Sequence, residues 1–220
     1  MKVCTDACIL GAWFSRRMAA GARVLDIGSG TGLLMLMLAQ RHEGAIQGIE
    51  LDADACGQLR ENIAQSPWAS RLKVFEGDVR NIVFPDKFDL IISNPPFFED
   101  DLAAGSTAKN LARHSKALNL SELIDVLDAN LARAGGFAVL LPARRTEYFE
   151  TLAAGRGFHL ATRLTISQRP GDEPFRMILQ FSRKEEGPAS SSGLVIRNDD
   201  GSYTMEFVNL MKDYYLYSPA

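Results

Sequence analysis

A short apolar strand running straight into three alternating glycines, Val24-Leu25-Asp26-Ile27-Gly28-Ser29-Gly30-Thr31-Gly32, constrains this chain more than any other stretch. Glycine at 28, 30 and 32 permits positive φ and close backbone approach, and the apolar pattern Leu33 to Gln40 predicts a helix with free N–H groups behind the loop. The same alternation continues downstream. Strands are predicted near 22–27, 45–50, 72–76, 88–93 and 136–141, with helices near 32–41, 53–65 and 120–133 and a leading helix over 7–17. Such a sequence of elements implies an α/β fold with a mostly parallel sheet. A further helix over 145–155 follows. His159 to Ser167 and Phe175 to Arg183 then read as an antiparallel pair joined by the turn Arg169-Pro170-Gly171-Asp172.

The strand Phe88-Asp89-Leu90-Ile91-Ile92-Ser93 ends in a rigid corner, Asn94-Pro95-Pro96-Phe97. Two prolines fix their own φ and restrict the residue before them, so the Asn94 amide and the Pro95 carbonyl are held in one orientation. Both are acceptors and together suit the two protons of an exocyclic amine, while Phe97 offers an apolar face to the attached ring. An aminated base fits this corner.

Three acids stand in or at the ends of the first three strands. Asp26 lies two residues before the first glycine of the loop and suits a ligand bearing a cationic amine. A dinucleotide loop would put its third glycine at 33, which is Leu33, and requires no such acid. Glu50 ends the strand Ala45 to Glu50, where a carboxylate can take both hydroxyls of a ribose; alone it would read as a surface acid. Asp78, after Phe75-Glu76-Gly77, serves equally as an acceptor for an adenine amine or as a helix cap or turn residue.

In this order, glycine loop, acid, acid and Asn-Pro-Pro-Phe, residues 2 to 183 resemble the class I S-adenosylmethionine-dependent methyltransferases. Lys2-Val3-Cys4-Thr5-Asp6, Gly11-Ala12-Trp13, Gln65-Ser66-Pro67-Trp68-Ala69, Leu194-Val195-Ile196-Arg197 and Tyr214-Tyr215-Leu216 are similar to the bacterial valine-tRNA (adenine(37)-N6)-methyltransferases. The resemblance implies a Rossmann-like three-layer sandwich whose seven-stranded, mostly parallel sheet ends in an antiparallel hairpin. It implies S-adenosylmethionine as cofactor, bound by Thr5, Asp6, Asp26, Gly28, Gly30, Gly32, Glu50, Asp78 and Asn94, and a base held by Asn94, Pro95, Pro96 and Phe97. Locally, Thr5 and Asp6 also suit capping of the leading helix. The implied reaction is in-line transfer of a methyl group to an adenosine N6 beside the anticodon of valine tRNA, without a metal. Two departures stand out. Many adenine-specific members carry tyrosine where this chain has Phe97, and phenylalanine also occurs there in guanine-N2 enzymes of ribosomal RNA. Relatives also carry a short segment ahead of the first motif, on which this chain begins almost at once. Three rivals stay open: a guanine-N2 rRNA methyltransferase, a glutamine-amide N5 protein methyltransferase, and a non-catalytic nucleotide-binding module.

The remaining composition bounds the setting. With 220 residues, 46% of them hydrophobic, the chain can bury a full core in one domain with at most a small appendage. Residues 1–184 are expected to form that domain and 185–193, with Gly187-Pro188 and Ser190-Ser191-Ser192, a linker. Residues 194–220 are expected to pack back on the domain as strand, turn and helix. No apolar run approaches the ~18 residues of a spanning helix, and Asp6 with Arg16-Arg17 spoils a signal peptide, so a cytoplasmic location is expected. Cys4, Cys8 and Cys56 lack paired metal spacing and read as reduced thiols. The net charge of −3 hides an asymmetry: residues 43–101 hold 12 acids against 5 bases, residues 133–184 hold 9 bases against 4 acids. Each of Arg133, Arg144, Arg145, Arg156, Arg163, Arg169, Arg176, Arg183 and Lys184 alone reads as a solvated surface charge, but as a cluster they suit a phosphate-facing surface, with Lys109, Arg113 and Lys116 nearer the corner. The polar stretch from Phe97 to Asn119 reads as a mobile substrate loop or a disordered insertion, and His114 within it as a solvated loop residue or a substrate contact.

Overall fold

The structure, a computed structural model, describes residues 4–95, 118–185 and 187–215. Pro96, Phe97, Lys109, Arg113, His114 and Lys116 lie outside the described residues, so the expectations placed on them are not met or refuted by it.

Helix α1 (Thr5–Ser15) leads into β1 (Val24–Ile27), α2 (Leu33–Ala39), β2 (Ile46–Glu50), α3 (Ala53–Ala64), β3 (Leu72–Glu76) and β4 (Phe88–Ser93). After the undescribed segment come α4 (Leu120–Asn130), β5 (Leu131–Pro142), α5 (Thr146–Gly155), β6 (His159–Ser167), β7 (Arg176–Ser182), β8 (Ser190–Val195) and α6 (Met205–Met211). The strands form one sheet in the order β3-β2-β1-β4-β5-β7-β6-β8, in which β7 alone runs antiparallel to its neighbours.

Both faces are covered, which is why the strands read as apolar runs rather than alternating ones. In β5, Ala138 and Leu140 enter the core under α1, α2, α3 and α6, whereas Phe137, Val139 and Leu141 enter the one under α4 and α5. Helix α1 is buried from Ala7 through Ser15 and α2 is apolar nearly all round, as expected of helices packed on each other and on the sheet. Close packing is demanded at Gly48 of β2, where a Cβ would fall 2.3 Å from Met35 Sδ and 2.5 Å from Ser29 Oγ. Helix α4 begins at a capping box in which Asn119 and Glu122 satisfy each other's backbone N–H groups.

Four expectations are corrected. The sheet has eight strands, not seven, because Ser190–Val195 pairs in parallel with β6 from Thr162↔Ser190 to Ser167↔Val195. The expected linker 185–193 consequently stops short of Ser190: backbone hydrogen bonds to β6 hold a serine-rich stretch whose side chains give no strand signal. The leading helix starts at Thr5 rather than Ala7, so Thr5 and Asp6 sit inside its first turn and neither is its cap. Cys4 occupies the cap position, and its side chain makes no capping hydrogen bond to the helix.

The fourth concerns the basic cluster, which strand direction divides. Arg144, Arg145, Arg169 and Arg176 lie at the edge of the sheet where β1, β2 and β4 end, whereas Arg133, Arg156, Arg183 and Lys184 lie at the opposite edge. Several are also neutralised by nearby acids: Arg156 by Asp125, Arg163 by Glu150 at 2.6 Å, Arg176 by Asp6 at 3.0 Å and Arg183 by Asp128 at 2.6 Å. The nine bases do not form one phosphate-facing surface.

Candidate active site

Chain reversal around β1 creates the site. The connection from β1 leads to β2 on one side, while β4 lies on the other, and in open parallel sheets the crevice beyond such a switch point receives the ligand. Ile27 is in register with Ser93 across it and with Ile49 on the outer side.

Gly28, Gly30 and Gly32 adopt φ of 75°, 55° and 92°, conformations that would strain any other residue. At Gly32 space is also lacking, since a Cβ would lie 2.3 Å from Leu59 Cδ1; at Gly28 it would meet nothing within 4 Å, so the loop opens there. Gly28 and Ser29 donate their N–H groups to the Ile49 carbonyl at 2.9 and 3.1 Å, and Asn62 of α3 donates to the Thr31 carbonyl at 2.9 Å. Glu50 holds the middle of the loop: one carboxylate oxygen accepts from Gly30 N–H at 2.7 Å and the other from Asp52 N–H at 2.9 Å.

Asp26 is fully buried, and neither of its carboxylate oxygens has a hydrogen-bond partner. Burial, and next the charge of Glu50, push its pKa up to about 8. An unpartnered buried carboxylate is costly to fold around and fits a site whose missing partner is a ligand cation.

Asn94 repeats this pattern on the other side of the switch point. Its Oδ1 is buried and without a partner, directly after the end of β4, with Pro95 buried behind it. Ser93 fastens this corner to the glycine loop, its buried hydroxyl donating to the Ile27 carbonyl at 2.9 Å. Ser93→Ala is expected to leave that carbonyl unsatisfied and to lower stability by about 1–3 kcal/mol in a urea titration.

Asp78 lies beyond β3. Of the two roles open to it, the structure realises the turn cap: its carboxylate accepts from Arg80 N–H at 2.9 Å and pairs with the Arg80 guanidinium at 2.6 Å. Hydrogen bonding to Arg80 holds its pKa below the ordinary carboxylate value. Arg80 in turn reaches Glu122 at 2.9 Å. Asp6 projects from the first turn of α1 to Arg176 at the start of β7, which brings that turn to the same edge of the sheet. Thr5 neighbours it in the chain, exposed.

Sequence reasoning overlooked Asn62, Ser93 and the role of Arg176. Ser93 was open to detection as a hydroxyl beside the Asn-Pro-Pro corner; the Asp6–Arg176 pair, 170 residues apart, carried no local signal.

A family profile described as the methyltransferase small domain matches residues 9–122. A Dyadobacter fermentans protein named tRNA1(Val) (adenine(37)-N6)-methyltransferase is 40% identical, the match covering 98% of this chain and 91% of that protein. A Serratia proteamaculans protein of the same name is 40% identical over 99% of this chain and 84% of its own length. Among solved structures, a predicted O-methyltransferase from Agrobacterium tumefaciens superposes with a TM-score of 0.70 at 18% identity, covering 96% of this chain and 98% of that one, and so shares the fold.

Proposed function

The chain belongs to the methyltransferase small domain family and, within it, to the tRNA1(Val) (adenine(37)-N6)-methyltransferases, and from that membership we propose how its own residues perform the reaction. It is an enzyme that uses S-adenosylmethionine to methylate the exocyclic N6 of an adenosine beside the anticodon of valine tRNA.

The unpartnered carboxylate of Asp26 and the three left-handed glycines fit the methionine and nucleoside parts of this cofactor. Asp26 accepts from the ligand's ammonium group, Glu50 takes the ribose hydroxyls while bracing Gly30, and Asp78 faces the adenine end in the orientation that Arg80 imposes. Thr5 and Asp6 cover the methionine end. When bound, the cofactor supplies an electrophilic methyl group on a sulfonium. The protein's task is to aim a weak nucleophile. An adenine N6 lone pair is delocalised into the ring, and acceptors at Asn94 Oδ1 and the Pro95 carbonyl, engaging both amine protons, favour a more tetrahedral nitrogen. Positioning and preset dipoles carry the rate, so no strong base is needed: the nitrogen becomes acidic once methylated and loses its proton to solvent or to these acceptors. Pro96 and Phe97, which the resemblance assigns to the base, lie outside the described residues. The observation that carries this reading is the orphaned Asn94 Oδ1 across the switch point from the orphaned Asp26 carboxylate.

A base inside a folded anticodon arm must be splayed out to reach this corner, and a loop adenosine is the cheapest to extrude. Such a substrate sets the work of the enzyme in the cytoplasm; no helix among the described residues is long and apolar enough to cross a membrane. The shared name of relatives matched over nearly the whole chain argues against the guanine-N2, glutamine-amide and non-catalytic readings.

The test is incubation with labelled S-adenosylmethionine and unmodified bulk tRNA, followed by nucleoside mass spectrometry. N6-methyladenosine recovered from valine tRNA is the expected product. Methylguanosine from ribosomal RNA run in parallel, or label in protein alone, would overturn the reading.

A further inference from the structure

Strand β5 overshoots its neighbour. Ser93, the last residue of β4, is in register with Val139, yet β5 continues to Pro142, which pairs with Arg176 of β7. At ~3.3 Å per residue this carries the backbone roughly 10 Å beyond the end of β4, one strand spacing to the side of Asn94. The overhang is braced rather than frayed. Ala143 N–H donates to the Phe175 carbonyl at 3.3 Å, and Thr146 Oγ1 donates to the Ala143 carbonyl at 2.8 Å as α5 begins. It carries Arg144, Arg145 and, in the first turn of α5, Tyr148.

Tyr148 is 49% exposed and is the aromatic member of the four exposed large apolar side chains among the described residues. The Arg145 guanidinium lies 5.3 Å from the centroid of its ring. Glu147, the nearest acid in sequence, belongs to another stripe of α5, which with Glu150, Thr151 and Ala154 lines a groove over Phe158 and His159. Methyl transfer at Asn94 gives these groups nothing to do.

We infer that Arg144, Arg145 and Tyr148 form a ledge that receives a single-stranded nucleotide flanking the reacting adenosine, its base on the Tyr148 ring and its phosphate against the two guanidinium groups. The inference rests on the RNA substrate proposed above and assigns part of its binding surface. Chemistry selects the occupant: a base splayed from an RNA loop presents both a π face and an adjacent phosphate, whereas bases in a duplex are stacked on one another and an ordinary peptide carries no phosphate. Position agrees, since the bases beside an extruded nucleotide lie within one backbone step of it.

The test measures both affinity and turnover. Binding of a fluorescein-labelled anticodon stem-loop of valine tRNA is followed by anisotropy at several salt concentrations, and methyl transfer to the whole tRNA is measured in parallel. Tyr148→Ala and Arg144→Glu/Arg145→Glu are each expected to weaken stem-loop binding and raise the tRNA KM about tenfold or more. Affinity for S-adenosylmethionine and kcat at saturating tRNA should stay within twofold, Tyr148→Phe should retain most of the affinity, and the arginine variant should flatten the salt dependence. Arg133→Glu, exposed at the opposite edge, is the control and should bind as wild type. Stem-loop affinity within twofold of wild type in both ledge variants would overturn the ledge while leaving the methyltransferase reading intact. Weakened binding in an enzyme that transfers nothing to tRNA would uphold the ledge and sink the proposed reaction; a wild-type protein that binds no RNA would sink both.

Discussion

Replacing Asn94 with alanine is expected to lower kcat about 100- to 1000-fold while changing S-adenosylmethionine affinity no more than a few-fold. The size follows from what loss of one preorganised polar contact to a reacting group costs in other active sites. The selectivity follows from the structure: Asn94 Oδ1 has no protein partner, so loss of that oxygen breaks no internal hydrogen bond, and the urea midpoint should stay close to that of wild type. Stopped single turnovers with saturating tRNA, paired with calorimetric titration of the cofactor, would separate the two effects. A variant that unfolds readily would mean instead that the Asn-Pro-Pro corner is a structural turn, and one that retains kcat would remove Asn94 from the chemistry.

Asp26 should give the second large effect, visible in both binding and stability. Asp26→Asn is expected to weaken S-adenosylmethionine binding on the order of 100-fold, as loss of a buried charge partner does. In the ligand-free protein the sign of its pH dependence follows from a pKa raised from the ordinary 3.8 to about 8. Between those values the folded chain holds a proton that the unfolded chain has released. The contribution of Asp26 to stability is therefore fully present below the lower value, declines by up to about 1.4 kcal/mol per pH unit and is exhausted above about 8. Cofactor affinity should run the other way up to about pH 8, because the ammonium group is bound by the ionised carboxylate, and fall beyond it as the free ligand's amino group, of ordinary pKa about 7.7–8.0, loses its proton. Urea titrations and calorimetry from pH 5 to pH 9, with Asp26→Asn as reference, would check both slopes. A wild type whose profiles run parallel to those of the variant would show that Asp26 does not titrate in this range, and equal cofactor affinity in the two proteins would remove it from cofactor binding.

Much of this architecture is written locally. The strand bounds 72–76 and 88–93 and the helix over 53–64 emerge from apolar runs, a capping aspartate at 52 and proline punctuation, all of which act over a few residues. The glycine loop is equally local, because positive φ at 28, 30 and 32 has few chemical solutions. What escaped depends on distant partners. Strand β8 is held by β6 backbone groups some 28 residues earlier, and three serines and a glycine reveal nothing of it. Charge counted along the chain misplaced four of the nine basic residues: Arg133 and Arg156 stand where strands begin, and β7 runs against its neighbours, sending Arg176 to the site and Arg183 with Lys184 away from it. Asp78 could not be assigned from sequence because its carboxylate suits a turn and a ligand equally, and its pairing with Arg80 fixes it in the turn.

The two ends of the described chain meet. Phe207 and Met211 of α6 share a core with Trp13 and Phe14 of α1, Tyr214 donates to Ser15 at 2.6 Å, and Asp213 bridges Arg16 and Arg41. During translation α1 emerges well before the helix that covers it. At roughly 5–20 residues per second, the ribosome needs about ten to forty seconds to make the intervening chain, and for that interval the apolar outer surface of α1 has no lid. Nascent chains arrested before residue 205 should accordingly be held by chaperones and cut readily by protease near Trp13, and release of the final helix should end both susceptibilities at once.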